Sequence, residues 1–167
     1  NHPDIVAVAL EVKPEEVCMV PERRQELTTE GGLDVAGQRD ALTPVVAALR
    51  AAGITVSLFI DPDARQVEAA AAIGAPTIEL HTGAYADRAG AARAQELARL
   101  TEAAQRAHAL GLVVNAGHGL SLENVDPVLA IPHLDTLNIG HSIVCRALFV
   151  GLEQATREML DKLQRQQ

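Results

Sequence analysis

At 167 residues the chain is long enough for one domain with a real core, and 48% of it is hydrophobic, which excludes a disordered polymer. A formal net charge of -8 excludes the basic surface that a nucleic-acid partner needs, and no polybasic stretch marks a membrane surface. No apolar run is long enough to span a bilayer and nothing resembles a signal peptide, so a cytoplasmic protein is expected.

In chain order, Asp4 to Leu10 reads as a helix, with Pro3 at its start and Pro14 beyond its end. Glu16 to Val20 reads as a strand. A polar stretch without helical or strand period follows from Pro21 to Gly32, and a loop of that length inside a compact domain usually has a task. Leu33 to Ala52 carries apolar residues at helical spacing and stops at Gly53. Ile54 to Ile60 is a β-branched strand, Asp63 to Ile73 an alanine-rich helix, and Thr77 to His81 a short strand before a Thr82-Gly83 turn. Ala91 to Leu110 is a long amphipathic helix, Leu112 to Ala116 a strand, and Ser121 caps a short helix from Leu122 to Ala130. Thr136 to Ile139 is the last strand, and helical sequence fills most of Ser142 to Gln164, with Gly151 as a break.

A helix after every strand means a parallel α/β sheet in one domain spanning 1–167. Two architectures compete, an open flavodoxin-like sheet and part of a (β/α)₈ TIM barrel. Along the strands Thr77, Glu79 and His81 oppose Ile78 and Leu80, while Thr55, Ser57, Phe59 and Asp61 oppose Val56, Leu58 and Ile60. One face is apolar and the other mixed. A sheet covered by helices on both faces should be apolar on both, whereas a barrel interior can be polar near its mouth, so the alternation favours the barrel. Five strands cannot close one. An incomplete barrel, lacking about three strands that would precede these five, is the expectation. Cys18 and Cys145 match no metal or redox spacing and are expected to be reduced thiols in a packed interior.

Two stretches repeat one figure. Asn115-Ala116-Gly117-His118-Gly119 and Asn138-Ile139-Gly140-His141 each end a strand in a glycine beside a histidine. Glycine lets the backbone approach a ligand, a following helix start offers free N–H groups to an anion, and histidine titrates near neutrality. A single such turn is no more than a tight turn with a surface histidine. Two on consecutive strands point to an anion site on one rim, with His118 as a proton carrier and His141 as a ligand contact. The helical stretch from Ile143 to Val150 supplies the short helix that barrels use for phosphate. Glu79, mid-strand on the mixed face, is either an acid–base group or a buried hydrogen-bonding partner for Asn115 or a threonine. Glu79, His81, His118 and His141 lack the local spacing of a metal site, so no metal is expected. Arg23, Arg24, Thr28, Thr29 and Glu30 suit a loop folded over a phosphorylated ligand, and equally a solvated loop.

With those stretches in view, the sequence resembles the pyridoxine 5'-phosphate synthase family, which closes the pyridine ring of vitamin B6. Besides both Gly-His turns, the resemblance is carried by Val20-Pro21-Glu22-Arg23-Arg24-Gln25-Glu26-Leu27-Thr28-Thr29-Glu30-Gly31-Gly32-Leu33-Asp34-Val35 and by Ile78-Glu79-Leu80-His81-Thr82-Gly83. It implies a (β/α)₈ barrel assembled as a homo-oligomer, usually an octamer. It implies condensation of 1-deoxy-D-xylulose 5-phosphate with 3-amino-2-oxopropyl phosphate, with no metal or organic cofactor. It implies His118 as the late proton donor, Gly119, Gly140 and His141 as phosphate contacts, Thr28 as a substrate contact, and Glu79 as a group near the chemistry. The family's N-terminal strands, which carry a histidine, a glutamate and arginines of the site, have no counterpart here, so the chain alone is expected to be inactive. A sugar-phosphate aldolase or isomerase barrel, or a truncated non-catalytic domain, would share the twin turns but not the Thr-Thr-Glu-Gly-Gly loop.

Overall fold

The structure, a computed structural model, describes residues 1–21 and 31–164. The loop candidates Arg23, Arg24, Thr28, Thr29 and Glu30 lie outside the described residues.

Thirteen elements follow among the described residues: α1 (Pro3–Val12), β1 (Glu16–Met19), α2 (Arg39–Ala51), β2 (Thr55–Ile60), α3 (Ala64–Ala72), β3 (Thr77–His81), α4 (Gly83–Asp87), α5 (Gly90–Ala109), β4 (Val113–Gly117), α6 (Val125–Leu129), β5 (Leu134–Asn138), α7 (His141–Val150) and α8 (Leu152–Gln164). The five strands form one parallel sheet in the order β1-β2-β3-β4-β5. A doubly wound sheet reverses its strand order at a switch point, whereas a barrel adds each strand beside the last. The unbroken sequential order is therefore that of a barrel arc.

The apolar strand face and the helices over it make the core. Val56, Leu58, Ile60, Ile78, Leu80, Val114 and Ala116 from the strands meet Leu42, Val46 and Leu49 of α2, Val67 and Ala70 of α3, and Leu100, Ala104 and Ala107 of α5. Alanine on α3 and α5 lets those helices lie close on the strands, which is why so much core forms with so few aromatics. Glu96 is the buried charge of α5. It is satisfied by Arg88 and by Arg99, whose Nη1 lies 2.8 Å away.

Side-chain hydrogen bonds displace several expected boundaries. The helix expected from Leu33 begins at Arg39, because the Asp34 carboxylate accepts from the Gly37 N–H (3.0 Å) and from Gln66 Nε2 (2.7 Å), which closes residues 34–37 into a turn. The expected Thr82-Gly83 turn opens a one-turn helix, α4, locked by Tyr85 donating its hydroxyl to the Asn124 carbonyl at 2.6 Å. Ser121 does not cap a helix from Leu122. Asn124 Oδ1 accepts from the Ser121 N–H (2.8 Å), so this loop closes on itself and α6 begins only at Val125. The last strand begins at Leu134, two residues before the expected Thr136, with an irregularity opposite Val114 and Asn115. The cysteine expectation fails as well: both Cys18 and Cys145 belong to exposed residues.

Leu80 is fully buried at the centre of the apolar face. Leu80→Ala should cost about 2–5 kcal/mol by urea denaturation, while Val144→Ala, at an exposed position, should stay within about 0.5 kcal/mol. Asp34 gives a pH signature. The hydrogen bond from Gln66, then the one from the Gly37 N–H, holds its carboxyl below the usual carboxylate range. A lowered folded-state pKa contributes stability that is present above the unfolded value of about 3.9 and is lost as pH falls through the lower folded value. The stability gap between the wild type and Asp34→Asn should thus be wide at neutral pH and shrink in acid. A gap that is equal at both ends of the titration would refute the assignment.

Candidate active site at the strand ends

The mixed faces of the strands line one concave surface, and Glu79 lies at its centre. It is only 8% exposed. Its Oε2 accepts from Asn138 Nδ2 of β5 at 2.7 Å and lies 3.7 Å from Cys18 Sγ of β1. In a flat sheet, strands four intervals apart would be separated by about 19 Å. One carboxylate oxygen touching side chains from both outermost strands requires the sheet to be rolled, so Glu79 reports the barrel curvature directly. The buried partner anticipated for Glu79 is therefore real, but it is Asn138, not Asn115 or a threonine. Asn115, opposite Glu79 in the register, keeps a buried Oδ1 without a partner among the described residues.

The Cys18 thiol feels that carboxylate. Burial of the thiol first, then the negative charge of Glu79, pushes it up to about 12 although part of the residue faces solvent. Gly117 makes room for the same group, since a Cβ at 117 would fall 2.4 Å from Glu79 Oε1 and 2.8 Å from the Asn138 carbonyl oxygen.

Above Glu79 the first Gly-His turn is held in an unusual backbone. His118 has a φ of 86°, a left-handed conformation uncommon outside glycine. Thr82 fixes it. The buried hydroxyl of Thr82 donates toward the Gly117 carbonyl (2.7 Å) and the His118 carbonyl (2.5 Å), and its N–H donates to the Gly117 carbonyl (2.9 Å). Sequence reading missed Thr82, because a threonine following a strand carries no mark of the carbonyls it will meet. Gly119 follows with a φ of 75°, and a Cβ there would lie 2.7 Å from the Cβ of Ala86, so the turn presses its backbone onto α4.

The second turn comes from the adjacent strand. Gly117 pairs with Asn138, so His118 and Gly140-His141 leave neighbouring strands at the same end of the sheet. Gly140 occupies the N-cap of α7 and carries no side chain, and a Cβ built on it would meet nothing within 4 Å. No side chain caps α7, so its start leaves first-turn N–H groups unclaimed by a capping side chain, which is the condition for holding an anion at a helix N-terminus. Ser142 ties this start to the first turn by donating to the Leu120 carbonyl at 2.7 Å. His141, exposed at the first position of α7, has Nε2 3.5 Å from Cys145 Sγ. Among the described residues, no three His, Cys, Asp or Glu side chains gather closely enough to hold a metal ion.

The sequence reading placed His81 on the same face but nearer the rim. The structure puts it at the end of β3 and buries it, with Nδ1 3.1 Å from Asp61 Oδ1 at the end of β2. In the sequence Asp61 is only a mixed-face position beyond Ile60. It also accepts the Gly32 N–H at 3.1 Å, which anchors the end of the long loop. The site residues present thus gather on one surface: Glu79 within the arc, His118 and Gly119 over it, Gly140 and His141 beside them. Thr28 lies outside the described residues.

Comparison with known proteins agrees with this geometry. Solved structures share the fold at low identity: a xylose isomerase domain protein from Planctomyces limnophilus has a TM-score of 0.55 at 15% identity, over 95% of this chain and 66% of that one. A HpcH/HpaI aldolase/citrate lyase family protein from Burkholderia cenocepacia has 0.51 at 16% identity, over 98% and 72%. Such likeness concerns the fold, an incomplete barrel, and nothing more. Sequence relatives are nearer. The chain is 56% identical over 166 residues to a pyridoxine 5'-phosphate synthase of Akkermansia muciniphila, covering 99% of this chain and 68% of the relative. It is 57% identical over 159 residues to that of Opitutus terrae (94% and 64%) and 60% identical over 157 residues to that of a Synechococcus species (93% and 66%). The chain spans about two thirds of the length of these curated relatives. With a family model matched across residues 1–165, the chain belongs to the family described as pyridoxal phosphate biosynthesis protein PdxJ.

Proposed function

We propose that this chain carries one side of a pyridoxine 5'-phosphate synthase site, which condenses 1-deoxy-D-xylulose 5-phosphate with 3-amino-2-oxopropyl phosphate to pyridoxine 5'-phosphate, phosphate and water. The observation that carries the reading is the pairing of Gly117 with Asn138, which sets two Gly-His turns side by side on one rim above a buried carboxylate. Identity above one half to relatives of that name supports the same reaction.

The residues divide the work. Gly119, Gly140, His141 and the N-terminus of α7 hold a phosphate through backbone N–H groups and an imidazole. His118, presented over the arc by its left-handed backbone, donates a proton in the late steps, when the ring closes and loses water. Glu79 offers a fixed negative charge where positive charge develops on nitrogen during imine and enamine chemistry. Thr28 contacts substrate from the long loop. Two phosphorylated substrates need two anion sites, and by the family resemblance the other one, with a further histidine, glutamate and arginines, belongs to strands outside these 167 residues. The reading extends to a cytoplasmic homo-oligomer, octameric by the same resemblance. The exposed apolar residues Val144, Leu148, Phe149 and Leu152 of α7 and α8 support association. No helix among the described residues is long and apolar enough to cross a membrane.

A chimera tests the proposal. The chain replaces the matched region of the Akkermansia muciniphila relative, whose remaining sequence is kept. Pyridoxine 5'-phosphate formation should be absent from the chain alone and present in the chimera. His118→Asn in the chimera should lower kcat about a hundredfold or more while KM stays within a few-fold. Near-wild-type kcat would remove His118 from the donor role, and synthesis by the chain alone would remove the need for the other strands. The charge of Glu79 has its own reporter in Cys18. At pH 8 iodoacetamide should modify Cys145 well before Cys18, and Glu79→Gln should speed Cys18 modification while leaving a residual barrier from burial. Equal Cys18 rates with and without the carboxylate would show that Glu79 does not act on the Cys18 thiol.

A further inference from the structure

Three rings and one missing side chain meet beneath the first Gly-His turn. The His81 ring lies 5.0 Å from the Phe59 ring and 5.0 Å from the His118 ring, edge-to-face at 61° in both cases, and Phe59 and His118 are 6.3 Å apart. Gly83 completes the cluster. A Cβ at 83 would lie 2.6 Å from His81 Nε2 and 3.1 Å from His118 Cδ2, so the two imidazoles meet only because residue 83 has none.

His81 is the fixed member. It is 5% exposed, and its Nδ1 sits 3.1 Å from Asp61 Oδ1. That contact holds the Asp61 carboxyl below the usual carboxylate range, so Asp61 accepts and the shared hydrogen belongs to His81 Nδ1. Its Nε2 is buried without a partner among the described residues. A histidine serving only to fill the core would be expected to satisfy both nitrogens or expose one. Here one nitrogen is spent on orientation and the ring edge is spent on His118. His118 itself is exposed on a rim turn, with its ring edge-on to His81.

We propose that His81, oriented by Asp61, is a positioning residue for His118: its ring, with Phe59 and the side-chain-free Gly83, forms the wall that holds the His118 imidazole in one rotamer over the arc. Asp61 acts through His81 and not on His118 directly. The inference rests on the synthase reading only in naming His118 the proton donor.

Imidazole NMR of the isotopically labelled chain, with no substrate present, tests the positioning and is indifferent to the reaction. In the wild type, His81 should show the Nδ1–H tautomer, and His118 a single χ1 rotamer with ring NOEs to Phe59. Asp61→Ala should remove the tautomer preference of His81 and at least halve the His118–Phe59 NOEs. The Asp61 side chain is 47% exposed, so this variant should fold. His81→Phe keeps a ring in the wall but no Nδ1. In that variant His118 should keep its rotamer, and adding Asp61→Ala should change nothing further. If Asp61 served only to anchor Gly32, its removal would have the same effect whether residue 81 were His or Phe, and that result overturns the proposal. So does a His118 rotamer unchanged in Asp61→Ala. Thermal unfolding of each variant confirms that the comparison is made on folded chains.

Discussion

One carboxylate oxygen disciplines the rest of the structure. Glu79 Oε2 reaches Cys18 on the first strand and Asn138 on the fifth, and it can do so only in a rolled sheet. A buried carboxylate is costly unless hydrogen-bonded, and a flat sheet would leave Glu79 without either neighbour. The curvature that creates the site and the satisfaction of its buried charge are therefore the same condition. Gly117 follows from it, because any side chain there would collide with Glu79 Oε1 or with the Asn138 carbonyl. The glycine that marks the motif in the sequence serves the carboxylate beneath as much as the ligand above.

The histidine beyond that glycine is held against its own preference. A left-handed backbone at a non-glycine residue costs of order 1–3 kcal/mol and persists only where the surroundings impose it. Thr82 imposes it through two carbonyls in succession. Since Thr82 directly follows β3 and His118 directly follows β4, the strain is locked by the pairing of the two strands themselves. The first Gly-His turn is thus placed by the strands of the barrel.

How much of this was legible in the chain depended on range. Short apolar and β-branched runs located all five strands, and period-two alternation along the later ones gave their mixed face, because face assignment needs only neighbours in sequence. The twin turns were placed on one rim for the same reason: consecutive strands in a parallel barrel are adjacent. What escaped was contact across strands. Asn138 as the partner of Glu79 depends on curvature, which no local pattern encodes, and Asn115 looked better because it is the flat-sheet neighbour. Cys18 looked like core because a cysteine inside a strand usually is, yet β1 is an edge among the described strands. The start of α2 was misplaced for a different reason. Asp34 fits a helical period but spends its carboxylate on Gly37 and Gln66, and Gln66 is thirty-two residues away.

The described residues provide N–H groups and imidazoles on the rim, but the guanidinium groups of Arg88 and of α5 are occupied: Arg88 and Arg99 by Glu96, Arg106 by Glu68, and Arg93 by the Arg88 and Ala86 carbonyls. A phosphate site of the kind proposed, in a chain of net charge -8, cannot rely on the overall field to attract its ligand. It must use oriented backbone dipoles and short-range donors, which act only at contact. Selectivity for a phosphorylated ligand would then come from shape at the two Gly-His turns. Their geometry is fixed in turn by strand register, by Thr82 and by the carboxylate under Gly117.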